Sequence, residues 1–161
     1  KGAAVGFADV PLCEKEPYII RYAEMIDNWA ECDCFCSCIK VKKSEADDLL
    51  RLAEGLMYRK EEFVSRVGTV LMFSKFSDEP TVRKALAIYD RLPGGEYYRD
   101  MAVAWGISVY CVRYPQLIVK YLEHSPISIA VKLAAAQKIR DSRRISNEVK
   151  RRVTDTVNAQ R

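Results

Sequence analysis

Long apolar runs are missing from this sequence of 161 residues: none approaches the length of a membrane span, so no segment reads as a transmembrane helix. Nothing at the start has the form of a secretory signal. Convincing alternation of β-branched residues is also missing, which removes the period-two signal a sheet would need. Histidine is nearly absent, and His124 lies far in sequence from most of the cysteines that would have to join it in a mixed metal site. What is present is ordinary globular material. With 49% hydrophobic and 30% charged residues, the chain belongs with folded proteins rather than disordered ones. Its length suffices for one cooperative core or one array of stacked repeats, and is short for two ordinary domains. We read residues 1–161 as a single domain. The first residue is Lys1 rather than Met, and the opening residues read as the inside of an element, so the expectation is a fragment whose upstream part is missing.

Six cysteines stand at positions 13, 32, 34, 36, 38 and 111, four of them alternating within seven residues. That is poor geometry for a disulfide framework, and without a secretory signal the expectation is reduced thiols in a cytoplasm. On a helix Cys32 shares a face with Cys36, and Cys34 with Cys38, so two soft ligands lie one turn apart on each face. A rigid helix does not gather four sulfurs around one tetrahedral ion. Small buried thiols are the better reading, and neither a metal nor a cofactor is expected.

Apolar spacing is helical almost throughout. Ile19, Tyr22, Ala23 and Ile26 follow the three-and-four rhythm, as do Leu49, Ala53, Leu56 and Met57, then Phe63, Val67, Val70 and Leu71. Leu86, Ile88 and Tyr89 continue it more loosely, followed by Met101, Ala102 and Val109, and by Ala130, Leu133 and Ala134. Ser44 with Asp47 reads as a capping box, Ser125–Pro126 as a cap with proline in the first turn, and Pro93–Gly94–Gly95 as a break. The expected fold is all-α. Trp29 precedes Arg66 by 37 residues and Arg66 precedes Trp105 by 39. That period is close to the roughly 40 residues of helical-pair repeats such as HEAT, whose stacked pairs form a solenoid with equivalent positions along one concave face. A tryptophan's ordinary place is the core, and Arg66 has Glu62 one turn back as an ordinary ion-pair partner. The shared register is what marks these three residues out.

Charge is uneven. From Tyr121 onward nine basic residues face four acidic ones, while the whole chain carries a net charge of only +4. A basic end on a neutral body suits a polyanion such as DNA, with Lys138, Arg143 and Arg144 as candidate phosphate contacts; a solvated helix face explains the same charge.

Four segments carry a resemblance. Asn28–Ser37, Glu62-Phe63-x-x-Arg66, Tyr97-Tyr98-x-x-Met101-Ala102-Val103-Ala104-Trp105 and Gln137–Ser146, in that order, resemble the bacterial DNA alkylation repair glycosylases of the AlkD type. The similarity spans the whole chain and looks like the C-terminal two-thirds of such a protein. It implies a HEAT-like solenoid on duplex DNA, acting as a monomer in a bacterial cytoplasm on purines made cationic by alkylation at N3 or N7. It implies Asp33 as the catalytic carboxylate, Arg66 as a grip on a backbone phosphate, and Trp29 and Trp105 as aromatic faces beside the lesion. One carboxylate is chemically sufficient, because a cationic purine departs neutral without being protonated, whereas ordinary glycoside cleavage takes two. Two other uses of such a fold compete: a non-catalytic DNA-binding relative, and a protein-interaction scaffold.

Overall fold

The computed structural model of the chain describes residues 2–161, and every regular element among them is helical. The chain divides into two compact units, one ending at Lys75 and one spanning Phe76–Arg161. The first holds α1 (Gly2–Phe7), α2 (Leu12–Ala23), α3 (Trp29–Cys38), a single 3₁₀ turn (Lys43–Glu45), α4 (Ala46–Met57) and α5 (Glu62–Lys75). The second holds α6 (Glu79–Tyr89), α7 (Tyr97–Arg113), α8 (Pro115–His124), α9 (Ile129–Asp141) and α10 (Asn147–Asn158). None of these helices is long and apolar enough to cross a membrane.

In the first unit α4 shows one apolar stripe, Leu49, Leu52, Ala53, Leu56 and Met57, all buried. Its partner α5 is buried on every side from Val64 to Phe73, which makes it the central helix of this unit. The two helices approach closely at Gly68. A Cβ there would stand 2.5 Å from the Met57 backbone nitrogen and 2.6 Å from the Ala53 carbonyl oxygen, so only glycine fits without moving backbone. Hydroxyls inside this interface are satisfied locally. Ser65 donates to the Met57 carbonyl at 2.7 Å, and Thr69 donates to the Ser65 carbonyl at 2.9 Å. α3 lies against α5, α1 lies against α2 and α3, and α2 lies against α4 and α5.

Expected caps and observed caps differ at two places. Ser44 sits inside the 3₁₀ turn and does not cap α4. Glu45 takes over the reciprocal role, its carboxylate accepting from the Lys42 N–H at 2.8 Å and, across the unit, from the Leu12 N–H at 2.7 Å. Those two hydrogen bonds hold the Glu45 carboxyl below its ordinary pKa. Ser125 likewise ends α8, its N–H donating to the Tyr121 carbonyl, and α9 is capped three residues later by Ser128. Proline explains the shift: Pro126 drives the residue before it into extended backbone, and Ser125 sits at φ −67°, ψ 148°.

In the second unit α7 lies against α6, α8 and α9, burying Ala102, Val103, Ile107 and Tyr110. The break before it is where the sequence marks it. Gly95 adopts φ +105° and its N–H donates to Asp100 at 3.0 Å, while the buried Arg99 donates to the Pro93 carbonyl. The expected apolar face of α9 is corrected. Ala130 is exposed and Leu133 and Ala134 only half-buried, whereas Val131, Ala135, Ala136 and Ile139 are buried together with Lys132. The ammonium of Lys132 donates to Gln160 at 2.5 Å, and Gln160 donates to the Leu122 carbonyl at 3.0 Å, so the inward lysine is partnered. α10 closes the unit against α8 and α9 with Val149, Val153 and Val157.

Candidate active site

The site begins with a helix start. Asn28 takes extended backbone at φ −144°, and its side chain accepts from the Glu31 N–H at 2.9 Å, so α3 opens at Trp29. Trp29 is then the first helical residue and stands 56% exposed. That is far from the core position ordinary for a tryptophan. One turn on, Asp33 lies at the edge of the buried face formed by Cys32, Phe35 and Cys36, where helical spacing puts it on the same side as Trp29.

Asp33 meets Arg66. The guanidinium of Arg66 projects from α5, and its Nε and Nη2 donate to Asp33 Oδ1 at 3.2 and 2.9 Å; Nη2 also reaches Oδ2 at 3.0 Å. The two residues are 33 positions apart in sequence and are brought together by the α3–α5 packing. Their exposures differ. The Arg66 side chain retains 6% of its exposure and Asp33 21%, so the cation is sealed while the carboxylate keeps one edge toward solvent. A planar fork against a carboxylate fixes the orientation of that acid more tightly than a lysine would. The chemical result is one carboxylate, held in a defined rotamer by a buried cation, with an open edge able to order a water or face a cationic ligand.

The other acid of α3 is engaged elsewhere. Glu31 accepts from the Tyr22 hydroxyl and from Asn28 Nδ2 at 3.3 Å, and the hydrogen bond to Glu31 raises the Tyr22 phenol. The cysteine run divides by face: Cys32 and Cys36 are buried, Cys34 is exposed and Cys38 half-buried, all as free thiols. Burial, with Cys32 as a hydrogen-bonding neighbour, pushes the Cys36 thiol well up, and its Sγ donates to the Val67 carbonyl at 3.7 Å. Lys75 stands near Cys36 and Cys38, its ammonium lowered by burial. Among the described residues no group of three or more His, Cys, Asp or Glu side chains is placed to hold a metal ion.

The remaining sequence candidates belong to the second unit. Trp105 is half-buried in the middle of α7, with Ser108 donating to its carbonyl at 2.7 Å. Lys138 is half-buried near the end of α9, and Arg143 and Arg144 are exposed in the turn that follows. The structure thus brings together Asp33 and Arg66, with Trp29 one turn away, in the first unit; Trp105 and the three basic residues lie in the second. Helical spacing offered Glu62 to Arg66, and what it missed is the long-range partner Asp33.

Comparison with protein-family models, with curated proteins and with solved structures finds no match for this chain.

Proposed function

We propose that this chain is the DNA-binding, lesion-excising part of a DNA glycosylase that hydrolyses the N-glycosidic bond of purines made cationic by alkylation at N3 or N7. The observation that carries this reading is the Asp33–Arg66 pair, in which a buried fork orients a partly open carboxylate one turn after an exposed tryptophan. The reaction needs little more. Water adds to the anomeric carbon, the glycosidic electron pair leaves with the base and neutralises it, and the proton of the water passes to solvent. Asp33 stabilises the positive charge that grows on the sugar and accepts a hydrogen bond from the attacking water, an effect worth a few kcal/mol (about 3) in a water-poor site. Trp29 offers its electron-rich face to the cationic nucleotide.

Helix packing is consistent with stacked HEAT-like pairs. In the first unit α2 lies on α4 and α3 on α5; in the second, α7 lies on α9 and α8 on α10. Like helix on like helix is the pattern of successive repeats. The part given to Trp105 rests on the resemblance of its segment, and so does the placing of the protein as a monomer in a bacterial cytoplasm.

The test is release of 3-methyladenine or 7-methylguanine from methylated duplex DNA. The expected result is release by the native chain and a loss of a hundredfold or more in Asp33→Asn, with duplex affinity kept. Equal release by that variant removes Asp33 from the chemistry. A second reading, a non-catalytic DNA-binding relative, is favoured by the engagement of both Asp33 oxygens by Arg66, since a purely structural ion pair has that form. Duplex binding without base release selects it.

A further inference from the structure

The alternating thiols of α3 split by exposure, and the split leaves two of them unexplained by packing. Cys32 and Cys36 are buried as small apolar groups, the reading the sequence suggests for the whole run, but Cys34 is exposed and Cys38 half-buried. These two lie four positions apart in the last turn of α3, on one side of the helix. The other polar side chains of this stretch are engaged. Asp33 is held by Arg66, Glu31 accepts from Tyr22, and Ser37 donates to the Cys34 carbonyl at 2.7 Å. What this end of α3 offers a ligand is a pair of thiols.

Spacing decides what the pair can do. Cβ atoms one helical turn apart stand about 5–6 Å from each other. A disulfide requires about 3.5–4.5 Å, so the helix keeps these thiols from bridging. Two thiolates on opposite sides of one ion need more room, about 4.6 Å from sulfur to sulfur if each metal–sulfur bond is about 2.3 Å. The helical spacing suits that span. Tetrahedral ions need further ligands, and among the described residues no group of three or more His, Cys, Asp or Glu side chains is placed to supply them. An ion satisfied by two soft ligands fits, and Cu(I) is the monovalent ion of that kind.

Charge points the same way. Two thiolates on one monovalent ion carry a net charge of −1, and the carbonyls that end α3 disfavour an anion beside Cys38. Cations offset this. Lys75, half-buried at the end of α5, stands beside Cys36 and Cys38 and close to Lys40; among the described residues no carboxylate is one of the charged groups acting on its ammonium. Lys40 is itself fixed over the Phe7 ring, its Nζ 4.9 Å from the centroid. A half-buried ammonium facing thiols and a second lysine is unfavourable until an anion forms beside it.

We propose that Cys34 and Cys38 form a two-coordinate site for the soft monovalent ion Cu(I), with Lys75 as the counter-cation of the resulting bis-thiolate. Binding replaces two S–H bonds by two metal–sulfur bonds, releases two protons and leaves the oxidation state of the ion unchanged. The site uses neither Asp33 nor Arg66, so it stands or falls apart from base release.

The test is anaerobic titration of the intact, reduced chain with Cu(I) in competition with a chromophoric chelator. One ion per chain is expected, with X-ray absorption showing two sulfur neighbours and no third. Cys34→Ser and Cys38→Ser should each lose affinity about a hundredfold or more, beyond what outer groups typically contribute, while Cys13→Ser binds as the native chain does. Cys34 is exposed, so its variant keeps the fold, and melting of the ion-free chains checks this for both. Lys75→Gln should lose about tenfold for Cu(I) and clearly less for Hg(II), whose bis-thiolate is neutral. Undiminished binding in Cys34→Ser, a third sulfur neighbour, or equal losses for the two ions in Lys75→Gln would overturn the proposal.

Discussion

Arg66 does at residue scale what no neighbour in sequence can do for Asp33. Its guanidinium is nearly sealed and needs an anion, because an unpaired charge at that depth is costly; removing one partner of such a pair typically costs about 3–5 kcal/mol. The same fork holds the carboxylate in one orientation. If Arg66 serves by positioning Asp33, then Arg66→Lys keeps the charge but loses the double hydrogen bond. The expected outcome is a fall in kcat for base release of tenfold or more, with KM and affinity for undamaged duplex unchanged. The opposite split, weaker binding at an unchanged kcat, would return Arg66 to the phosphate-gripping role that the resemblance implies. The sequence marked both residues but not their union. Helical spacing reports neighbours three and four positions away, and a partner 33 positions away is set by how α3 and α5 pack. Trp29 shows the converse. Its register singled it out, and its exposure follows from local chemistry, since the Asn28 cap places it at the first turn of α3.

Element by element, the helices were legible and their ends less so. Apolar periodicity located the buried face of α4 but understated α5, which is buried on every side from Val64 to Phe73, and Pro93–Gly94–Gly95 marked the start of α7 because only a residue such as glycine takes φ +105° at no steric cost. Caps failed where several polar residues compete within one turn. Ser44 lost to Glu45, whose longer side chain reaches two N–H groups at once, and Ser125 lost to Ser128 once Pro126 held the chain extended. The face of α9 was misread because alanine signals either side equally, and because Lys132 buries its stem and finds Gln160 for its charge. Glu45 carries a pH prediction. Its folded pKa lies below the ordinary 4.5 because the charged form accepts the Leu12 and Lys42 N–H groups, so its contribution is fully present above the unfolded value and fades as pH falls through the depressed one. Native chain and Glu45→Ala should therefore differ in Tm by a constant amount above about pH 5, with the native chain higher, and converge on acidification. A gap that widens toward low pH would show that Glu45 does not act through its charge.

At the scale of the whole molecule, each compact unit contributes one tryptophan. Trp29 heads α3 in the first unit and Trp105 sits within α7 in the second, with Arg66 between them in sequence at nearly equal intervals of 37 and 39 residues. Equal intervals alone would follow from any run of similar helix pairs. What gives the interval functional content is the resemblance, which implies each indole as an aromatic face beside the lesion, and that expectation has an energetic signature. Two residues acting independently lose activity additively, within about 0.5 kcal/mol; two residues sharing one ligand do not. Trp29→Ala, at an exposed position, and Trp105→Leu, which keeps apolar volume in α7, are each expected to slow release of 3-methyladenine about tenfold. In the double variant the losses should couple by roughly 1 kcal/mol, because the second substitution acts on a cation already deprived of one face. The same cycle measured on 7-methylguanine, also a cation, should couple alike, whereas affinity for an undamaged duplex, which carries no cationic base, should show no coupling at all. Additive losses for both lesions would separate Trp105 from the site and leave Trp29, Asp33 and Arg66 as a catalytic group confined to the first unit.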